Sequence, residues 1–274
     1  MRILVVGGGG FLGGEVVSQA VDAGHETHAT FSSRPGEQAG VSSWRQVDIR
    51  ERDETAAAVA SVNPDVVVNA AYRKPDWAVT ADGAVNVLLA ASGLGAHLVF
   101  VSSDTVFSGA AERYDEDARP DPITPYGAAK AAAETAIRAV DPSAAIVRTS
   151  LILGGIRSHH EAFIHDLAAG RRQGVLFTDD VRCPVHVTDL ASVLLELAVA
   201  GAAGIHHAAG PDPVSRYELG CLIARRDGID PASLPIGSRA ETGIPGPTAL
   251  HLDCARTQAI LQTRLRGVRE FVGE

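Results

Sequence analysis

Cysteine is scarce. The 274 residues hold three, Cys183, Cys221 and Cys254, far apart, odd in number and with no C-x-x-C pair. A disulfide framework or a cysteine zinc site is therefore not expected, and a reducing cytoplasmic compartment is. Long apolar runs are missing too. Ile3-Leu4-Val5-Val6 is too short for a signal peptide, and nothing later approaches the ~18 apolar residues of a membrane span. Basic runs are absent and the net charge is −9. A nucleic-acid surface is not expected, although a local basic pocket for phosphates is compatible with that charge. There are two lysines, Lys74 and Lys130, and neither internal repeats nor low-complexity stretches.

What remains is an ordinary folding composition, 46% hydrophobic and 21% charged, long enough to bury a large core. Short apolar runs alternate with helix-forming stretches. Strands are expected at Ile3 to Val6, His25 to Phe31, before Val47, at Val66 to Asn69, His97 to Ser102 and Ala144 to Arg148. Helices are expected at Glu15 to Ala23, Glu51 to Val62, Asp76 to Ser92 and Ala128 to Ala139. This rhythm predicts an α/β fold, a doubly wound parallel sheet of the Rossmann type. It loosens after Leu153. Residues 1–153 are read as a dinucleotide-binding domain. Residues 154–274 are read as mainly a smaller C-terminal lobe closing a substrate cleft, with segments returning to the core. Thr188 and Ser215 are expected to cap two of the lobe helices.

The first strand ends in Gly7-Gly8-Gly9-Gly10-Phe11-Leu12-Gly13-Gly14, and a helix follows. That is the setting in which glycines let the backbone approach a pyrophosphate and a helix N-terminus offers free N–H groups. Two registers fit, Gly8-x-Gly10-x-x-Gly13 and Gly7-x-x-Gly10-x-x-Gly13. A plain tight turn is the bland reading. NAD-preferring folds usually end the second strand on a carboxylate. Here the strand runs into Ser32-Ser33-Arg34, whose hydroxyls and guanidinium suit a 2′-phosphate. NADP(H) is therefore favoured over NAD(H), against the alternative of a solvated loop arginine. Asp48 could accept from an adenine amino group or cap the next helix. Ala70 and Ala71, small residues after the fourth strand, would let a cofactor lie close.

Ser103 ends the fifth strand. Tyr126 and Lys130 lie four apart at a helix start, so they share one face. A hydroxyl at a strand end, with a phenol beside an ammonium, is what polarising and protonating a carbonyl requires. An ordinary helix pair would show the same spacing, but the glycine loop and Ser103 favour catalysis. The histidines, including the doublets His159-His160 and His206-His207, lack metal-ligand spacing, and no metal is expected.

Taken together these motifs resemble the extended short-chain dehydrogenase/reductase family, and within it the dTDP-4-dehydrorhamnose reductases and their relatives. The resemblance spans nearly the whole chain. It is carried by Gly7-x-x-Gly10-x-x-Gly13, Asn69-Ala70-Ala71-Tyr72, Ser102 to Gly109, Tyr126-Gly127-Ala128-Ala129-Lys130 with Glu134, Arg148-Thr149-Ser150, Cys183 to Ala191 and Leu252 to Arg256. It implies Ser103, Tyr126 and Lys130 as the catalytic set. It implies a cofactor held by Gly7, Gly10, Phe11, Leu12 and Gly13, by Ser32, Ser33 and Arg34, by Asp48 and Ile49, and by Ala70 and Ala71. The substrate would be a nucleotide-linked 4-keto-6-deoxysugar, with Thr105 and Arg182 as candidate contacts. Arg182 serves equally as a substrate-phosphate partner or a structural arginine. Relatives commonly carry Trp after Arg-Thr-Ser, where this chain has Leu151, which removes a stacking platform. An NADP-binding regulatory subunit of another enzyme and a nucleotide-sugar epimerase or dehydratase are the competing readings. A homodimer is compatible with all of them.

Overall fold

The computed structural model describes residues 1–155, 158–243 and 245–273. Its centre is a seven-stranded sheet. The strands are β1 (Arg2–Val6), β2 (Glu26–Phe31), β3 (Ser43–Gln46), β4 (Val66–Asn69), β5 (His97–Ser103), β6 (Ala145–Thr149) and an outer strand, Gly204–Ala208. Every pairing in it is parallel, and the order runs outer strand, β6, β5, β4, β1, β2, β3. Chain direction across the sheet reverses between β1 and β4. In such sheets a crevice opens there, beyond the carboxyl ends of the strands.

Both faces are covered, which is why the strands read as unbroken apolar runs. Ile3 and Val5 pack with Val16 and Val17 of helix α1 (Phe11–Asp22) and later with Leu190 and Leu194. Leu4 and Val6 point the other way. They join Val59 of α2 (Arg52–Val62), Leu88 of α3 (Gly83–Ser92) and Ile137 of α4 (Pro125–Val140).

Three of the differences from the sequence reading have a local physical reason. Helix α1 starts at Phe11 rather than Glu15, because the glycine loop itself turns into the helix through the Gly14 N–H to Gly10 carbonyl bond of 2.9 Å. The helix expected from Asp76 begins as a wider π-type turn at Ala78–Asp82 before α3. There a Cβ on Gly83 would come within 2.7 Å of the Ile49 side chain, which packs directly on the helix backbone. In the third case Thr188 caps nothing. It lies inside a helix that starts at Val187, and His186 occupies the cap and accepts from the Thr188 N–H. Ser215 does cap its helix, accepting from the Glu218 N–H at 3.0 Å.

After β6 the chain builds α5 (His159–Ala168), α6 (Val187–Ala200) and α7 (Arg216–Arg226), linked by two-residue strands. Helices α5 and α7 enclose a separate core of Leu153, Ile164, Leu176, Leu219 and Ile223. Buried Glu161 ties them, accepting from Arg226 Nη2 at 2.5 Å and from the Gly154 N–H at 2.8 Å. Helix α6 and the outer strand instead return to the sheet, α6 through the cluster that contains α1. No described helix is long and apolar enough to cross a membrane.

Candidate active site

One cavity of about 1350 Å³ runs along the carboxyl ends of β1, β2, β4, β5 and β6 and under the lobe. Its lining includes every residue marked in the sequence as a cofactor, catalytic or substrate candidate.

At one end lies the glycine loop. Gly7 has φ +83°, and its carbonyl accepts from the Gly10 N–H at 2.9 Å. Gly7, Gly10 and Gly13 line the cavity. Gly8 faces away: a Cβ there would come within 2.7 Å of Ala29 on β2. Of the two registers, the one with Gly7, Gly10 and Gly13 therefore addresses the cavity. A Cβ on Gly13 would lie 2.2 Å from the Gly7 carbonyl oxygen. Gly10, the N-cap of α1, has no side chain to bond the helix N–H groups, which leaves them for a phosphate. This loop fits a dinucleotide pyrophosphate.

Next along the cavity are exposed Ser32, Ser33 and Arg34 and, across from them, Asp48 and Ile49. Asp48 does not cap α2, whose N-cap is Glu51. It pairs with Arg50, Nε to Oδ1 at 2.9 Å, and that bond holds its carboxyl below the usual range. Asn86 secures the same turn by donating to the Ile49 carbonyl at 2.9 Å. Ala71 lies against the glycine loop, 3.0 Å from where a Gly7 Cβ would stand.

Ser103, Tyr126 and Lys130 meet in the middle. Thr124 caps α4 by accepting from the Gly127 N–H at 3.1 Å, and Pro125 sits in the first turn. The helix then docks tightly, for a Cβ on Gly127 would fall 2.0 Å from the Thr105 carbonyl oxygen. That contact sets Tyr126 beside Ser103. The Ser103 hydroxyl accepts from Thr105 Oγ1 at 2.9 Å and donates to Asp104 Oδ1 at 3.2 Å. Lys130 is buried, with Nζ donating to the Val101 carbonyl at 2.8 Å. Burial pushes the Tyr126 phenol well above its ordinary value, with Tyr72 and Asp104 adding to the effect and Ser103 opposing it. Burial likewise pushes Lys130 down to about 7, while Glu134 holds it up and Lys74 presses it down.

The lobe end is cationic. Arg182 lines the cavity but is engaged from within: Nη1 reaches Asp180 at 2.7 Å and Nη2 donates to the Pro247 carbonyl at 2.9 Å. Its structural reading is the one these bonds favour. Three cavity residues escaped the sequence reading. Lys74 stands 4.5 Å from the centre of the Tyr126 ring. Arg216 opens α7, and its guanidinium has no hydrogen bond or ion pair among the described residues. Burial, followed by the charges of Arg216, Lys74 and His159, pushes His160 down to about 3. The scarcity of lysine was the available signal for Lys74, since both lysines of the chain line this cavity. Among the described residues no three His, Cys, Asp or Glu side chains gather to hold a metal ion.

A family model described as the RmlD substrate binding domain matches residues 1–274. The dTDP-4-dehydrorhamnose reductase of Mycolicibacterium smegmatis is 34% identical over 286 residues, covering 98% of this chain and 83% of that protein. Methionine adenosyltransferase 2 subunit beta of Xenopus laevis is 29% identical over 228 residues, covering 75% and 68%. Among solved structures, dTDP-4-dehydrorhamnose reductase of Bacillus anthracis in complex with NADP superposes with a TM-score of 0.85. It is 23% identical, and the match covers 99% of this chain and 97% of that one. Fold, site and relatives define an NAD(P)-dependent oxidoreductase of the extended short-chain dehydrogenase/reductase class. Within that class, the chain belongs to the RmlD family of dTDP-4-dehydrorhamnose reductases.

Proposed function

We propose that this protein reduces the ketone of a nucleotide-linked 4-keto-6-deoxysugar with NADPH. The observation that carries the reading is the single cavity joining a pyrophosphate-fitting glycine loop, the Ser103/Tyr126/Lys130 set and a cationic lobe end. When bound, the reduced nicotinamide supplies the hydride. Negative charge then builds on the carbonyl oxygen. Ser103 donates a hydrogen bond to that oxygen and Tyr126 protonates it. Lys130 offers three donors from beneath, enough to hold a ribose hydroxyl while its charge favours loss of the phenol proton. Leu151 lines the cavity where relatives carry Trp, which leaves more room around the sugar.

The test is to incubate the protein with NADPH and a panel of nucleotide-4-keto-6-deoxysugars and follow nicotinamide absorbance. Absence of reduction, with a stoichiometric partner enzyme recovered by pull-down, would favour the regulatory-subunit reading that the adenosyltransferase relative raises. Release of an epimerised or dehydrated sugar without net cofactor oxidation would favour the other.

Preference for NADPH rests on Arg34, which lines the cavity with Ser32 and Ser33 where a carboxylate would otherwise select NAD. Arg34→Ala should weaken NADPH binding by roughly 1–3 kcal/mol and leave NADH nearly unchanged. Titration calorimetry with both cofactors measures this, and equal losses would remove Arg34 from the selection.

Arg216 takes the substrate role weighed for Arg182, because its guanidinium, unlike that of Arg182, has no hydrogen bond or ion pair among the described residues and can meet the diphosphate. Arg216→Ala should raise substrate KM by ~10-fold or more and leave the NADPH affinity unchanged. Arg182→Ala, which breaks internal bonds, should show chiefly as a lower Tm. A raised cofactor Kd in Arg216→Ala would contradict the assignment.

A further inference from the structure

Behind the catalytic set lies a buried charged assembly that the proposed mechanism does not use. Glu134, one turn beyond Lys130 on α4, accepts from Ser102 Oγ at 2.5 Å. It also receives a forked pair from Arg148 on β6, Nε to Oε1 at 3.1 Å and Nη2 to Oε2 at 2.8 Å. Neither side chain reaches water, with Arg148 0% and Glu134 2% exposed. Arg148 is held further by the Ala118 carbonyl at 3.4 Å and by the Phe107 ring, 4.9 Å from its centre. His207 on the outer strand stands 3.5 Å from Nη1, its other ring nitrogen on the Asp253 carbonyl at 3.0 Å.

An assembly of this kind is costly. Desolvating two ions consumes most of their attraction, and an apolar pair of equal volume often stabilises a fold more. Stability alone does not account for its place, and its neighbours suggest another task. Ser102 precedes Ser103, and Lys130 and Glu134 share one helix face at i,i+4. Among the described residues the Lys130 ammonium has one hydrogen bond, to the Val101 carbonyl, and it lies 4.6 Å from the centre of the Phe100 ring. A buried ammonium so placed needs a nearby negative charge to remain charged.

We propose that Glu134, fixed by Arg148, is a positioning residue for Lys130: it anchors the helix turn that presents the lysine and supplies the negative charge that keeps its buried ammonium charged. The other groups around Lys130 do not replace it. Tyr126 on its own helix is a neutral phenol until it gives up its proton. On the loop after β4, Tyr72 offers only a ring, 5.9 Å away, and Lys74 repels. Asp104 beyond β5 is engaged by Ser150 Oγ at 2.6 Å and by Ser103. Arg148 is a cation, and its guanidinium is bound to both carboxylate oxygens of Glu134.

The inference rests on the catalytic reading of Lys130, yet it can be tested without turnover. Labelling lysine at 13Cε gives two side-chain signals in this chain, and Lys74→Arg identifies which belongs to Lys130. The parent signal should titrate near or above pH 7. In Glu134→Gln it should titrate lower by about one pH unit, and Glu134→Asp, which keeps the charge, should restore most of the difference. Because Glu134→Gln strands Arg148 and could prevent folding, Glu134→Gln/Arg148→Met removes both charges and should show the same downward direction. In the sugar-reduction assay, activity requires the ammonium and is lost as pH rises through its pKa. That loss should move to lower pH in the Gln variants, with kcat falling more than KM rises. A Lys130 signal unmoved in the folded double variant would overturn the proposal and leave Glu134 as a brace. So would a parent lysine already neutral at pH 7. A parent protein that reduces no sugar while its lysine shifts as described would instead sink the proposed function and leave this inference standing.

Discussion

Tyr126→Phe should lower turnover by ~100-fold or more while the protein folds and binds NADPH as before. The change deletes one hydroxyl and little volume. The ring keeps its place beside Tyr72, 6.0 Å between centroids, and under Lys74. What is lost is the proton for the carbonyl oxygen. Ser103 can still hydrogen-bond that oxygen, so residual reduction should survive with water as a poorer donor. Stopped-flow measurement of nicotinamide oxidation, beside a fluorescence titration of NADPH, separates chemistry from binding. Near-normal turnover would remove Tyr126 from the mechanism and reduce Tyr126 and Lys130 to an ordinary helix pair.

Gly13→Ala should be the more damaging change for the cofactor. The new methyl would stand 2.2 Å from the Gly7 carbonyl oxygen and 2.8 Å from its carbon. Those atoms are backbone in the turn that must face the pyrophosphate, so relief requires moving the turn or the start of α1. Either movement misaligns the N–H groups that Gly10 leaves free. A loss of NADPH affinity of ~100-fold or more is expected, about what two or more charge-assisted hydrogen bonds contribute. Gly24→Ala is the control. It has φ +77° but meets nothing within 4 Å, so it should cost stability and leave cofactor affinity unchanged. Unchanged affinity in a folded Gly13→Ala protein would show that this loop is not the pyrophosphate cradle.

Most of the sheet could be read from the chain because parallel strands are buried on both faces, and Val66-Val67-Val68 or His97 to Ser102 has no other way to be satisfied. The glycine loop and the Ser103/Tyr126/Lys130 set were legible for a related reason. Each is a local pattern whose spacing survives into geometry. Lys74 and Arg216 were not, since what brings them together is the lobe folding back over the strand ends. Nothing local to Arg216, 90 positions from Tyr126, marks it as facing the same space. Arg182 shows the converse. Its charge and neighbourhood suggested a ligand, but Asp180 two residues earlier claims it. His186 took the cap from Thr188 because a ring nitrogen two residues back can accept the N–H that a hydroxyl usually does.

The way helix α6 and strand Gly204–Ala208 rejoin the sheet bears on how such a chain can diversify. They lie in sequence between the pieces of the lobe, so the lobe is not one contiguous stretch of chain. Exchanging everything after Leu153 with a relative would replace Leu190 and Leu194, which pack against Val16 and Val17 of α1, as well as the edge strand beside β6. Single substitutions in the loops that line the cavity, Leu151 among them, leave that shared core untouched.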